Sequence, residues 1–321
     1  MMTGKQKIIL DVDPGIDDSL AILLTTQSKQ FDILGVTICS GNVDSIQGAK
    51  NAKYVLDLAG HSDVPIYIGP VRPLKIEYTD ARDTHGEDGM GEAVFATEDR
   101  SEELSAQDFI YKTLNEYPNE VTIFALGPLT NLAKAIDIDA NILEKAKDIR
   151  IMGGSHGVEG NCSPVAEYNF WCDPHAARQF FNASIAPTYL YTLDVTYDIL
   201  FTPNIREMVN QFGTPISKFV HDITRFYVDF HWKQERTLGC VINDPLVIAD
   251  AIEPNTTFFK AFVDVVETGI ARGESIVERN PEGNVFVSES VDKDRFFDLF
   301  LTTLFEEDKE DIQLMKRKGM I

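Results

Sequence analysis

An acidic stretch near the start of the chain limits what this sequence can fold into more than any other feature. An apolar run of strand character at residues 8–10 leads into four aspartates within eight residues: Asp11, Asp13, Asp17 and Asp18. Carboxylates crowded in this way at the end of a buried strand repel one another unless a cation lies among them. Their hard oxygen atoms suit Ca²⁺ or Mg²⁺ rather than zinc. Helix capping would use one or two such acids and not four, so the stretch predicts a metal site.

The spacing of these acids indicates how they come together. Asp11 and Asp13 are two residues apart and therefore share one face of an extended chain, whereas Val12 points into the core. The Pro-Gly pair at residues 14–15 ends the strand with a sharp turn. The next two acids then start a helix that continues through the apolar run at residues 20–24, where they complement the helix dipole.

Composition restricts the partners of the chain. A net charge of −22 argues against nucleic acid and anionic membranes, since both bind basic surfaces, and it favours a neutral or cationic small molecule.

There is no run of about 18 apolar residues that could span a membrane, and residues 1–7 are too short and polar for a signal peptide. The four cysteines, at positions 39, 162, 172 and 240, form no C-x-x-C pair. They indicate reduced thiols in a cytoplasmic protein.

Strand-like and helix-like runs alternate along the chain, with no repeat or linker that would divide it. Strands are predicted at residues 7–11, 33–38, 66–68, 121–126, 148–152, 188–193, 262–266 and 284–288. Helices are predicted at residues 46–58, 108–117, 216–230 and 294–305, and the charged tail at residues 306–321 is expected to fray. This alternation predicts one α/β domain over residues 1–321, with a mainly parallel central sheet flanked by helices. Ligands of such sheets bind beyond the carboxyl ends of the strands, where polar or glycine-rich turns occur in this sequence.

Further motifs follow the opening Asp-Val-Asp-Pro-Gly-Ile-Asp-Asp in a fixed order. They are Ser40-Gly41-Asn42, Thr84-His85-Gly86-Glu87-Asp88-Gly89, Leu126-Gly127-Pro128-Leu129-Thr130-Asn131, Met152-Gly153-Gly154, Asn161 to Phe170 with Glu167-Tyr168-Asn169, and Asn243-Asp244-Pro245-Leu246. The ordered set covers nearly the whole chain and resembles the calcium-dependent nucleoside hydrolases, which include the inosine-uridine-preferring enzymes. The resemblance implies a Rossmann-like fold and hydrolysis of ribonucleosides to ribose and free base.

The resemblance also implies residue roles. Ca²⁺ would be held by Asp13, Asp18, Asp244 and the carbonyl of Leu126, and it would chelate the ribose diol. Asp13 would take a proton from the attacking water. The ribose would be bound by Asp17, Asn42, Asn161, Glu167 and Asn169. Contacts to the rest of the substrate are expected from Met152, Tyr227, His231 and Trp232, and His85 would lie near the base.

Asn243 departs from the family pattern. Inosine-uridine-type members have a histidine directly before the last metal-binding aspartate, where it is thought to protonate the leaving base. Asparagine cannot act as a general acid, although it can hydrogen-bond a base. The group that assists the leaving base is therefore open among His85, His231, Tyr227 and stacking on Trp232 or Trp171. The preference for purine or pyrimidine is open as well.

Two other functions are compatible with parts of the sequence. A haloacid-dehalogenase-type phosphatase also begins with a strand and Asp-x-Asp, but it has Thr or Val where this chain has Pro14. A ribose- or ribonucleoside-binding protein that has lost catalysis is supported only by Asn243. The nucleoside hydrolases usually assemble as dimers or tetramers, so the resemblance implies a homodimer or homotetramer with a small-molecule ribonucleoside as substrate.

Overall fold

A computed structural model describes residues 4–93 and 101–321. The strands within these ranges are β1 (Gln6–Val12), β2 (Phe31–Ile38), β3 (Ile66–Ile68), β4 (Thr122–Ala125), β5 (Asp148–Met152), β6 (Thr188–Tyr191), β7 (Leu200–Phe201), β8 (Cys240–Val241), β9 (Thr256–Val265), β10 (Ser275–Arg279) and β11 (Val285–Val291). The helices are α1 (Ile16–Gln27), α2 (Ser45–Leu58), α3 (Arg82–His85), α4 (Ala106–Glu116), α5 (Thr130–Ile138), α6 (Tyr168–Cys172), α7 (Pro174–Phe181), α8 (Leu193–Thr196), α9 (Pro203–Gln211), α10 (Pro215–Glu235), α11 (Asp244–Ile252), α12 (Lys293–Leu304) and α13 (Lys309–Arg317).

Nine of these strands form one mainly parallel sheet, in the order β10-β9-β11-β6-β5-β4-β1-β2-β3. Every neighbouring pair from β11 to β3 is parallel, and only β9 runs antiparallel to its neighbours at one edge. Strands β7 and β8 pair separately. The predicted α/β class with a mainly parallel sheet is confirmed, and the chain is a single α/β domain of this class.

The central strand β1 shows why the sheet is covered on both faces. Its alternate residues Ile8 and Leu10 belong to one hydrophobic cluster, which also takes buried residues from α1, α11 and α12. Ile9 points the opposite way, into a second cluster with α4, α5 and α7. A parallel strand buried on both sides must be apolar at successive positions, as this one is. The acids begin at the carboxyl end of β1, where the strand leaves the two hydrophobic clusters.

The predicted boundaries agree with the structure along most of the sheet. The first six predicted strands lie within two residues of β1 to β6 at each end. Strand β9 begins six residues earlier than predicted, and β10 and the β7–β8 ribbon were not predicted at all. No helix among the described residues is long and apolar enough to cross a membrane.

The prediction that the charged tail frays is wrong. A turn of 3-10 helix at Glu306–Asp308 leads into α13, in which Ile312 is completely buried. Lys316 pairs with Asp298 of α12, and the amide of Asn204 donates to the carbonyl of Met320 at 3.0 Å. Ile312, the partly buried Met315 and Ile321, and a few polar contacts hold this segment against the domain. The many charged residues around them make these apolar positions hard to recognise in the sequence.

Candidate active site

A cavity of about 500 Å³ opens beyond the carboxyl ends of the parallel strands. The loops after β2 and β4 contribute Asn42 and Leu126 to its lining, and β5 contributes its last residue, Met152. Helix α10 forms another wall, and α11 contributes its first residue, Asp244. This is the edge at which parallel sheets bind ligands, because the loops that follow neighbouring strands converge there.

Three buried aspartates cluster at the floor of this cavity: Asp17 and Asp244 line it, whereas Asp18 is completely buried and, like Asp13, is not part of the lining. Asp17 and Asp18 lie in the first turn of α1 and Asp244 in the first turn of α11, and one carboxylate oxygen from each lies within 4.8 Å of the others. Burial raises the pKa of Asp244 well above its ordinary value, and the carboxylates of Asp17 and Asp18 raise it further. Such a group of hard oxygen ligands could hold a metal ion, which would offset the repulsion among the three carboxylates.

Asp13 lies beside this cluster with one oxygen free. Its Oδ2 accepts a hydrogen bond from the backbone N–H of Asn42 at 2.7 Å, whereas Oδ1 is buried and has no partner among the described residues. Burial raises the pKa of this carboxyl, and the neighbouring Asp18 raises it further. Two glycines make the necessary space: a Cβ on Gly41 would lie 2.0 Å from Oδ2, and one on Gly127 would lie 2.3 Å from Oδ1.

The cluster contains two of the predicted metal ligands and one residue that was assigned to the ribose. Asp18 and Asp244 were predicted ligands, and the third acid with an oxygen within 4.8 Å of theirs is Asp17, which was assigned to the ribose. Asp11 is not a member of this group: its Oδ1 accepts hydrogen bonds from Thr37 at 2.6 Å and Asn131 at 2.7 Å, and its buried Oδ2 has no partner among the described residues. The carbonyl of Leu126 accepts a hydrogen bond from Asn169 at 2.7 Å and retains a second lone pair.

A second wall of the cavity carries a carboxylate and amides that the backbone holds in place. The carboxylate of Glu167 accepts hydrogen bonds from the N–H groups of Gly154, Asn169 and Phe170 at 3.0, 2.8 and 3.2 Å. Its burial raises the pKa of Glu167 to about 7, although these three bonds act in the opposite direction. Asn161 also lines the cavity and accepts from the N–H of Tyr168 at 2.9 Å.

The wall formed by α10 is aromatic. Tyr227, Phe230 and His231 line the cavity on this side, and the His85 ring lies 5.1 Å from that of Tyr227. The Nδ1 atom of His231 lies 2.9 Å from the carbonyl of Tyr227, and its Nε2 atom accepts the N–H of Val241 at 3.4 Å. Both nitrogens of His231 are therefore engaged within the protein.

His85 is held differently. Its Nδ1 accepts the N–H of Ile16 at 3.0 Å, at the start of α1, where the capping residue Gly15 offers no side chain. Burial lowers the pKa of His85, which favours the neutral ring with its proton on Nε2. The ring is buried and lines the cavity, so Nε2 is the nitrogen left for a ligand.

Asn243 lies between the acidic floor and the aromatic wall. Its Nδ2 donates to Oδ2 of Asp17 at 3.1 Å, and the same oxygen accepts from the Tyr227 hydroxyl at 3.5 Å. The side chain is only 7% exposed and lines the cavity, but its Oδ1 has no partner among the described residues.

Trp232 was predicted to contact the substrate, but it is not part of the cavity lining. It follows His231 by one residue, and a turn of about 100° per residue on the helix carries it away from the face that lines the cavity. Its side chain is 47% exposed, and the guanidinium of Arg236 lies 5.6 Å from the ring centroid. Trp171, the other tryptophan considered, does line the cavity.

Several lining residues were not predicted. They come from residues 79–84, from α10, from β8 and from the region around α6 and α8: Thr79, Asp80, Ala81, Asp83, Thr84, Gly160, Cys162, Tyr168, Tyr197, Phe230, Gln234, Glu235 and Val241. Tyr227 and Phe230 belong to a series of apolar residues at helical spacing between residues 216 and 230, and that pattern is typical of core packing. His61, His156, His175 and His221, which were not assigned to the site, are outside the lining.

Comparison with known proteins places this geometry in a family. Residues 8–298 match the family model described as inosine-uridine preferring nucleoside hydrolase. Uridine nucleosidase 1 of Arabidopsis thaliana is 38% identical over 277 residues, which cover 85% of this chain and 82% of that protein. The inosine-uridine preferring nucleoside hydrolase of Leishmania major is 33% identical over 308 residues, with 93% and 97% covered.

A solved structure shows the same architecture. The purine-preferring ribonucleoside hydrolase from Gardnerella vaginalis superimposes with a TM-score of 0.88 at 32% identity, over 95% of this chain and 99% of that one. The names of these three proteins indicate different bases, so similarity alone does not define the base that this chain prefers. The three proteins share the reaction type. The family model covers residues 8–298, a range that includes all the described residues lining the cavity. The chain belongs to the inosine-uridine preferring nucleoside hydrolase family, a family of hydrolases that act on N-glycosyl compounds.

Proposed function

We propose that the chain hydrolyses ribonucleosides to ribose and free base with Ca²⁺ as its resident cation and Asp13 as the general base. The observation that carries this proposal is the buried group of Asp17, Asp18 and Asp244 beside the unpartnered Oδ1 of Asp13. Four carboxylates this close leave a concentrated negative charge in a cavity with no lysine or arginine among its described lining residues. A divalent cation fits that arrangement.

The donor set favours Ca²⁺ over a transition metal, because it consists of oxygen atoms only. Asp18 and Asp244 would hold the ion together with Asp13 or Asp17, and the carbonyl of Leu126 has a lone pair that could complete the set. When bound, the cation would chelate the vicinal ribose hydroxyls and lower the pKa of the attacking water.

Asp13 has the features of the base that activates this water. Its Oδ2 is anchored by the N–H of Asn42, which leaves Oδ1 to accept a proton. As the water adds to the anomeric carbon, the ribose develops oxocarbenium character, and the carboxylates at the floor stabilise that positive charge.

Hydroxyl groups of the ribose need partners that both donate and accept. Glu167 offers acceptor oxygens whose orientation is fixed by three backbone N–H groups. Asn42, Asn161 and Asn169 line the same part of the cavity with amide groups, and Met152 supplies an apolar contact among them. Because the protein already holds these groups in place, binding the sugar requires little reorganisation.

The contacts within the protein reduce the candidates for assisting the leaving base. His231 uses both ring nitrogens internally, and Trp232 lies outside the cavity. His85 keeps Nε2 for the ligand, and Tyr227 keeps a hydroxyl near Asp17. A phosphatase is not supported, since no cationic side chain among the described lining residues could bind a phosphate group.

We also propose a cytoplasmic location and a homodimer or homotetramer. All four cysteines are free thiols, which agrees with a reducing compartment. Size-exclusion chromatography with light scattering would measure the subunit number directly.

Release of reducing sugar tests the reaction. Inosine, adenosine, uridine, cytidine and a riboside with an activated leaving group would each be incubated with the protein, with and without a calcium chelator. We expect ribose release that the chelator abolishes and that added Ca²⁺ restores, and no release from the matching 2′-deoxyribosides, which lack the diol. Binding of ribose without any cleavage would contradict the proposal and indicate a binding protein.

Replacing Gly127 with alanine is expected to lower kcat at least a hundredfold. The new methyl group would lie 2.3 Å from Oδ1 of Asp13 and 2.8 Å from the sulfur of Cys39, so the carboxylate must move from its position. Gly4→Ala is the matched control, because a Cβ at Gly4 has no neighbour within 4 Å. Thermal melts would establish that both variants fold, and unchanged kcat in folded Gly127→Ala would contradict the role given to Asp13.

A further inference from the structure

The peptide group between Gly41 and Asn42 holds the carboxylate of Asp13 in place. The N–H of Asn42 donates to Oδ2 of Asp13 at 2.7 Å, and no other hydrogen bond to this carboxylate is found among the described residues. A Cβ at position 41 would lie 2.0 Å from the same oxygen, so the backbone approaches the carboxylate as closely as only a glycine allows. A movement of this peptide group would therefore move Asp13.

The other end of the same peptide group accepts two tyrosine hydroxyls. The hydroxyl of Tyr78 donates to the carbonyl of Gly41 at 2.9 Å, and the hydroxyl of Tyr168, the first residue of α6, donates to it at 2.7 Å. A carbonyl oxygen has two lone pairs and can accept both. In a trans peptide the C=O and N–H groups point in opposite directions, so the two hydroxyls lie on the side of the peptide group away from Asp13.

The two tyrosines differ in their other contacts. Tyr168 lines the cavity, and its single hydroxyl hydrogen is shared between Gly41 and the carbonyl of Thr79, which lies 2.9 Å away. Tyr78 is outside the cavity lining, so its hydroxyl is not placed to bind the substrate. The N–H of Ala81 donates to the carbonyl of Asn42 at 3.1 Å. Residues 78–81 therefore hold the loop that contains the Gly41–Asn42 peptide group.

Hydrogen bonds at the two ends of a peptide group strengthen each other. Donation to the C=O polarises the amide and makes its N–H a better donor, and two donors limit the rotation of the peptide plane. We propose that Tyr78 and Tyr168 are positioning residues for the reaction: through the Gly41–Asn42 peptide group they hold Asp13 in the orientation in which it takes a proton from the attacking water. This inference rests on the proposed hydrolase function, in which Asp13 is the general base.

A role in supporting the cavity wall would give a different result. Thr79 and Ala81 line the cavity, so loss of a tyrosine that only supported this wall would change KM and would affect some bases more than others. A tyrosine that acts through Asp13 affects the attack of water on the ribose, which is common to all ribonucleosides. Its loss should therefore lower kcat by a similar factor for every substrate and leave KM unchanged.

Replacing each tyrosine with phenylalanine removes the hydroxyl and keeps the ring. At saturating Ca²⁺ we expect Tyr78→Phe to lower kcat about tenfold for adenosine, uridine and an activated riboside alike, because a small displacement of a catalytic group is costly. KM should stay within about twofold of the wild-type value. Tyr168→Phe should act in the same direction, and the double variant, whose Gly41 carbonyl has lost both hydroxyls, should lose about a hundredfold. Tyr111→Phe, on α4 and outside the cavity lining, is the matched control and should leave kcat unchanged.

A double-mutant cycle shows whether Tyr78 acts through Asp13. The base is already lost in Asp13→Asn, so adding Tyr78→Phe should lower the residual rate on the activated riboside less than about twofold. Thermal melts establish that each variant folds, and Tyr168→Phe takes the place of Tyr78→Phe if the latter does not. A full tenfold loss in the Asp13→Asn background, a change confined to KM, or unchanged kcat in the folded double tyrosine variant would overturn this inference and leave the hydrolase function standing. A wild type that cleaves no riboside would overturn both.

Discussion

Asp13→Asn is expected to lower kcat by about a thousandfold, within the range observed when a positioned general base is removed. Asparagine has nearly the shape of aspartate, and its oxygen can still accept the N–H of Asn42 that now anchors Oδ2. The group at the Oδ1 position would then be NH₂, which cannot accept a proton from water. The loss should fall on kcat, because the ribose contacts through Glu167 and Asn169 remain.

Two controls separate the loss of the base from other effects. Asp63→Asn removes one exposed acid outside the cavity lining and should leave kcat unchanged. Calcium binding, measured by calorimetry, shows whether Asp13→Asn still holds the cation. If the variant binds Ca²⁺ and ribose and turns over adenosine at the wild-type rate, Asp13 is not the base.

Removing divalent cations is expected to abolish turnover and to make the protein less stable as the pH rises. Burial raises the pKa of Glu167 to about 7 in the folded protein, well above the ordinary glutamate value of 4.5, and it raises the pKa of Asp18 in the same direction. Between these values the folded state binds more protons than the unfolded state. The stability is therefore fully present below about pH 4.5 and is lost as the pH increases through about 7.

Thermal melts in excess chelator would show this as a melting temperature that falls between pH 5 and pH 8. Adding Ca²⁺ should raise the melting temperature more at pH 8 than at pH 5, because the carboxylates are then ionised and available as ligands. Glu167→Gln removes one of the titrating groups and should reduce the fall. A chelated protein whose melting temperature stays constant over this range would contradict the raised pKa values of Glu167 and Asp18.

The parts of the fold that the sequence predicted share a simple physical origin. Strands β1 to β6 are short apolar runs that end in polar turns, and a parallel sheet buried on both faces requires that pattern. Strand β10 was missed because it lies at the edge of the sheet, where side chains such as Ile276 at 53% exposure need not follow a buried pattern. Helix α13 was missed because its single buried anchor, Ile312, is surrounded by charged residues.

The candidate site likewise has features that the sequence predicts and features that it does not. The acids of the floor and the amides near Glu167 occur in compact motifs, so their clustering could be predicted. That both Asp17 and Asp18 approach Asp244 could not be predicted, because it depends on how α1 packs against α11. The side of α10 on which Trp232 lies depends on the rotation of that helix, which an aromatic-rich sequence does not define.

The hydrogen bond from Ile16 to His85 joins two regions that are 69 positions apart. It makes the 79–85 region of the cavity a structural part of the helix that carries Asp17 and Asp18. An engineer who exchanged this loop between relatives to change base preference would therefore also remove the cap of that helix unless the donor loop kept a histidine at the same place. Chimeras that retain His85 should therefore tolerate exchange of this loop far better than chimeras that lose it. The part of the loop that can be exchanged safely ends before His85.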